Sequence, residues 1–147
     1  MRIARAHIWQ VPRLAAILWA FARETPWLPC VRSPVADLWV LAAVVRRGWV
    51  RVAHVRGRVA GFVVRDGSRV HALYVSRGAR GQGVGRALLA EAKRASGRLD
   101  LWVLVANAPA RGFYGAQGFV EATYATGGGN DEGLPDILMI WCDRGGA

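Results

Sequence analysis

Arg80-Gly81-Gln82-Gly83-Val84-Gly85-Arg86 stands between a strand-like run, Arg69–Val75, and a helical run that opens at Val84. Glycines at 81, 83 and 85 permit positive φ and let a ligand approach the backbone closely. The helix that begins inside the turn offers unpaired N–H groups and the positive end of its dipole. Together these make an anion site suited to a pyrophosphate. Arg86 sharpens this reading. A cation in a first helical turn opposes the dipole, and a phosphate seated there would reverse that penalty.

Three nucleotide-binding patterns compete for this turn. A Walker loop ends in Gly-Lys-Ser/Thr, but Val84-Gly85-Arg86 stands here. A dinucleotide fingerprint needs a third glycine. Counted from Gly83 that position is Leu88, and counted from Gly81 it is Arg86. The pattern R/Q-x-x-G-x-G/A after a strand matches at Arg80, Gly83 and Gly85.

The elements around the turn follow from periodicity and punctuation. Upstream, residues 2–8 alternate as a strand and Pro12–Arg23 has helical spacing. Ser33-Pro34 reads as an N-cap and first helical residue, opening a helix that ends near Gly48 with Leu38, Leu41, Ala42 and Val45 inward. Trp49–Val55, Val59–Arg65 and Arg69–Val75 read as antiparallel strands joined at Arg56-Gly57 and Asp66-Gly67. Downstream, Val84–Ser96 is a helix with Val84, Ala87, Leu88, Ala92 and Ala95 on one face. Leu99–Val105 is read as an apolar strand buried on both sides. Pro109–Gln117 is a short helix, and Phe119–Thr126 and Asp136–Trp141 form a closing strand pair. The strand–helix–strand unit spanning the turn predicts a parallel pair within an otherwise antiparallel sheet.

Leu73-Tyr74-Val75 followed by Arg80–Leu89 resembles the signature of the Gcn5-related N-acetyltransferases (GNAT), in a bacterial-type member. The likeness is strong from Val70 to Val120 and weak before Trp49. It implies an α/β (α+β) GNAT fold: a mixed, mostly antiparallel sheet of six to seven strands with a central parallel pair, flanked by about four helices. It further implies that loop amides from Arg80 through Gly81, Gln82, Gly83, Val84 and Gly85 to Arg86 hold the pyrophosphate of acetyl-CoA. The strand end at Leu73, Tyr74 and Val75 would pair with the pantetheine arm, and a backbone N–H near Leu73 or Tyr74 would stabilise the oxyanion.

Asn107 to Phe119 resembles the family's N-x-x-A-x-x-F/L-Y-x-x-x-G-F pattern, with its alanine at Ala110. By that resemblance Asn107 contacts the cofactor arm, and the Tyr114 hydroxyl lies near its sulfur. A thiol has pKa about 8.5 and a phenol about 10, so a tyrosine can protonate the departing thiolate. The plainer readings are a helix N-cap for Asn107 and a packed aromatic beside Phe113 for Tyr114. His71 is the candidate base. Strand alternation sets it on the face of Arg69 and Leu73, and an imidazole's ordinary pKa of about 6.5 suits the task. The plainer reading of His71, and the one favoured by residue type alone, is a core or surface histidine. Family members often carry a glutamate on this strand or a neighbour, and none lies between Arg69 and Val75. Asp131 and Glu132, with Asp136 nearby, either draw a cationic amine to the acceptor mouth or form a solvated hairpin loop.

Composition bounds these readings. The chain has 147 residues, 53% apolar and 20% charged, which suits one domain over 1–147 and excludes disorder. Its net charge of +10 comes with nineteen arginines and one lysine, Lys93. These suit a polyanionic ligand, but they are dispersed rather than striped and accompany no nucleic-acid motif. Cys30 and Cys142 form no CxxC pair, and His7, His54 and His71 form no metal motif. A reduced cytoplasmic setting and no metal are expected. The apolar run Leu14–Ala22 has amphipathic helical spacing rather than the form of a signal peptide, and no stretch approaches the ~20 apolar residues of a membrane span.

The leading expectation is therefore an acetyl-CoA-dependent N-acetyltransferase acting on the amine of a small molecule or peptide. The alternatives are a non-catalytic acyl-CoA-binding or sensor module on the same fold, and a basic nucleic-acid-binding domain. A homodimer is an expectation that comes from the resemblance alone.

Overall fold

The computed structural model describes residues 1–25, 33–126 and 133–143. Along the chain run β1 (Arg2–Arg5), α1 (Val11–Arg23), α2 (Pro34–Arg46), β2 (Val50–Val55), β3 (Arg58–Asp66), β4 (Arg69–Val75), α3 (Val84–Ala95), β5 (Arg98–Leu104), α4 (Ala108–Ala116), β6 (Val120–Ala125) and β7 (Asp136–Cys142). Seven strands form one sheet in the order β1-β2-β3-β4-β5-β7-β6. β4 and β5 are parallel and every other neighbouring pair is antiparallel, so the fold is a mixed α/β one.

The sheet carries a core on each face. On one, Leu88, Leu89 and Ala92 of α3 and Tyr114 of α4 pack with Val63, Val70, Leu99 and Leu101. On the other, Leu14 and Ile17 of α1 and Leu41 and Val45 of α2 pack with Val52, Phe62 and Val64. Leu14, Leu88, Leu89 and Leu99 are fully buried, each contributing about 1.5–3 kcal/mol from surface withdrawn from water. Ser33 starts α2 as its spacing predicts, its hydroxyl oxygen accepting from the Ala36 N–H at 3.1 Å. No helix among the described residues is long and apolar enough to cross a membrane.

Three local expectations are corrected. The first strand stops at Arg5, because Ile8–Gln10 turns into a 3-10 helix closed by the His7 N–H donating to Gln10 Oε1 at 2.8 Å. The buried face of α3 takes in Gly85 and Leu89 and leaves Ala95 exposed, because a helix lying on a sheet buries a broad stripe. β5 is not apolar and buried on both sides: Asp100 lies within it, and Trp102 is 40% exposed.

The parallel pair positions the site. β5 keeps its full register with β7, from Arg98↔Cys142 to Leu104↔Asp136. Against β4 it pairs at Arg69↔Asp100, with one flanking bond from the Asp100 N–H to the Ser68 carbonyl at 2.9 Å. Beyond that point the two strands diverge. β4 stays on β3 through Gly61↔Val75, so its other edge from Val70 onward has no register partner in β5. Gly61 allows β3, β4 and α3 to close up. A Cβ there would stand 2.8 Å from the Tyr74 carbonyl oxygen and 3.1 Å from Val84 Cγ1.

Candidate functional site

The divergence of β4 from β5 opens a cleft of about 830 Å³, within the range of small-molecule sites. Its walls are residues 70–75 of β4 and 101–104 of β5. The glycine turn, the start of α4 and the end of α1 complete it. All the expected donor-site residues except Gln82 line this cleft.

Gly81 and Gly83 have φ of +76° and +80°, and Gly83 is the N-cap of α3. No heavy atom lies within 4 Å of a Cβ built at either position, so backbone conformation is what demands glycine there. The first bond of α3 runs from the Ala87 N–H to the Gly83 carbonyl. The amides of residues 81–86 therefore donate to no backbone carbonyl among the described residues. Gln82 steadies the turn from outside the cleft, its Nε2 donating to the Gly78 carbonyl at 3.2 Å. Gly85 is glycine for a different reason. A Cβ there would lie 3.1 Å from Phe113 Cζ, so α3 and α4 meet at this point. Arg86 is exposed on the cleft, and its charge helps, after burial, to hold the Lys93 ammonium below its usual pKa. Free amides, a helix N-terminus and two cations fit a diphosphate. One of those cations is shared, because Arg80 Nη1 donates to Glu24 Oε2 at 2.7 Å.

Asn107 caps α4, its side-chain oxygen accepting from the Ala110 N–H at 3.2 Å, and it faces the cleft as well. Tyr114 is 7% exposed, with Phe113 and Phe119 edge-on at 5.2 and 5.5 Å. Burial first, and the neighbouring Tyr74 second, raise its phenol well above the ordinary value. Its hydroxyl makes no hydrogen bond among the described residues.

His71 lines the cleft, but not on the face of Leu73. Val64 opposes Ala72 while Arg65 opposes Val70, so His71 is the extra residue of a bulge and the alternation slips there. Val70 and Leu73 thus share one core while Ala72 packs in the other. The His71 ring stacks on Trp49 at 5.5 Å, and the Arg47 guanidinium also sits over that indole at 4.9 Å. Asp131 and Glu132 lie outside the described residues. Asp136 is 7% exposed, opposes Leu104 and reaches the cleft. No group of His, Cys, Asp or Glu among the described residues could hold a metal ion.

Glu24 also lines the cleft and was not among the residues expected there. A signal existed: a carboxylate at the C-terminal end of a helix faces the negative pole of its dipole and calls for a cationic partner. That Arg80 is this partner was not legible.

Residues 37–121, more than half of the chain, match the family model described as the acetyltransferase (GNAT) domain. Among solved structures the chain is similar to a ribosomal-protein-alanine N-acetyltransferase from Brucella melitensis. Identity is 25% over 97% of this chain and 99% of that one, with a TM-score of 0.75. It is also similar to the yncA protein of Salmonella typhimurium, solved with its cofactor acetyl-CoA. Here identity is 21% over 97% and 93% of the two chains, with a TM-score of 0.72. A search of curated protein sequences finds no match.

Proposed function

The chain belongs to the GNAT acetyltransferase family, and from that premise we propose that it is an acetyl-CoA-dependent N-acetyltransferase acting on a primary amine by direct attack in a ternary complex. The observation that carries this reading is the β4–β5 divergence. It leaves β4 beyond Arg69 without a register partner in β5, and that edge leads directly to a helix N-terminus whose amides donate to no backbone carbonyl among the described residues. A pantetheine arm pairs with such an edge, and a diphosphate takes such amides. We read residues 1–147 as one domain.

Bound acetyl-CoA supplies the thioester carbonyl that the amine nitrogen attacks, so that a C–N bond forms, the C–S bond breaks and the electron pair leaves on sulfur. The residues of the chain serve that exchange in distinct ways. The amides of residues 81–86 and the charge of Arg86 hold the diphosphate. Leu73 and Val75 orient the arm through their main chain, and the N–H near Leu73 or Tyr74 faces the carbonyl oxygen. Asn107 holds both the arm and the first turn of α4. Tyr114 donates its proton towards the departing sulfur. Burial raises this phenol and so favours its neutral form, the one that carries the proton. His71, directly or through water, takes the proton lost by the attacking amine. Asp131 and Glu132 attract the cationic acceptor. The acceptor is the amine of a small molecule or a peptide, and the protein acts in the cytoplasm.

Incubation of the purified protein with acetyl-CoA and a broad panel of amines tests this reading. Free thiol and acetylated product should appear together. CoA binding with neither would favour a non-catalytic acyl-CoA module instead.

A further inference from the structure

Glu24 and Arg80 stand 56 residues apart in the chain, meet at 2.7 Å and both line the cleft. Glu24 is the C-cap of α1, where the helix dipole disfavours a carboxylate. That end of α1 is fixed in place. The Phe21 ring packs on Tyr74 of β4 at 5.2 Å, and Thr25 Oγ1 donates to the Phe21 carbonyl at 2.8 Å. The carboxylate is therefore built into the wall beside the turn.

Its position has an electrostatic consequence. A negative charge against one of the turn's cations lowers the positive potential that an incoming phosphate meets. It also occupies a guanidinium nitrogen that the phosphate would use. The two side chains are 29% and 44% exposed, and ion pairs so exposed are weak. A multiply charged diphosphate can thus displace or share Arg80, and the pair tunes binding without blocking it.

We propose that Glu24 is an internal counter-ion that sets the affinity of the turn for CoA, competing with the diphosphate for Arg80 and keeping the hold on product loose enough for release. This rests on reading the turn as a CoA site.

Calorimetry of CoA and of acetyl-pantetheine, which lacks the diphosphate, tests it on the intact protein and on Glu24→Gln, Arg80→Gln and the double variant. Glutamine retains an oxygen that can accept from Arg80, so the pose stays while the charge goes. Glu24→Gln should bind CoA about two- to fivefold tighter, with the gain shrinking as salt rises. The gain should vanish for acetyl-pantetheine and in the Arg80→Gln background. Glu24→Ala provides the same reading if the glutamine variant folds poorly. Unchanged or weaker CoA binding by the Glu24 variants, or an equal gain for acetyl-pantetheine, would overturn the inference alone. An unsubstituted protein that binds no CoA would overturn the reading of the turn as well.

Discussion

Arg69 and Asp100 face one another where β4 and β5 are still paired, and Arg69 Nε donates to Asp100 Oδ1 across that register. The strands separate immediately beyond, so this clasp marks the closed end of the cleft. Asp100 is 8% exposed, and Arg98 approaches its other oxygen at 3.8 Å. Asp100→Asn leaves a buried amide among cations and should lower stability by about 1–2 kcal/mol. Thermal unfolding checks this. Because the clasp sets where the strands part, KM for acetyl-CoA should rise while kcat changes less.

Gly83 gives a second prediction. Its φ of +80° is the left-handed region, and a built Cβ has open space around it. Gly83→Ala therefore meets a conformational penalty of about 1–2 kcal/mol rather than a clash. If the turn relaxes to relieve it, the amides lose their common aim. CoA affinity measured by calorimetry should fall about tenfold or more, with little change in the far-UV spectrum.

Tyr114 yields a prediction about pH. Burial raises its phenol above the ordinary value of about 10. The neutral phenol therefore persists to higher pH, and with Tyr114 as the proposed proton donor the wild-type kcat profile should show no alkaline loss from this group below pH ~10. The same shift bears on stability. The unfolded chain would ionise first, so the contribution of Tyr114 is complete below pH ~10 and is lost as pH rises beyond it. Tyr114→Phe keeps the ring between Phe113 and Phe119 and removes the hydroxyl. It should lower kcat about a hundredfold with donor KM nearly unchanged.

His71→Phe separates the stack on Trp49 from the proposed proton transfer. Phenylalanine can keep the stack on Trp49 but cannot take a proton. With His71 as base, kcat/KM should drop about a hundredfold while the melting temperature holds. Full activity would assign the proton to another group.

What the sequence showed well was short in range. The turn, the N-cap at Ser33, the hairpin at Arg56-Gly57 and the limits of β4 each depend on neighbours a few residues away. The cleft wall formed by β4, the glycine turn and the start of α3 was legible for the same reason, because one strand, one turn and one helix start carry it. The bulge at His71 was hidden, since a slip of register depends on how β3 meets β4 and leaves no mark in alternation alone. The Glu24–Arg80 and Arg69–Asp100 pairs join residues distant in sequence, and only the assembled sheet brings them together. The arrival of Asp136 at the cleft follows from β7 inserting between β5 and β6, an order that chain sequence does not announce.

Acetyl transfer itself is tested by a coupled assay of the purified protein with acetyl-CoA and a panel of amines, following CoA thiol release and acetylated product by mass. One acetylated amine is expected for each thiol released, with turnover lowered about a hundredfold in Tyr114→Phe. Failure to bind CoA, or thiol release with no acetylated amine, would contradict it.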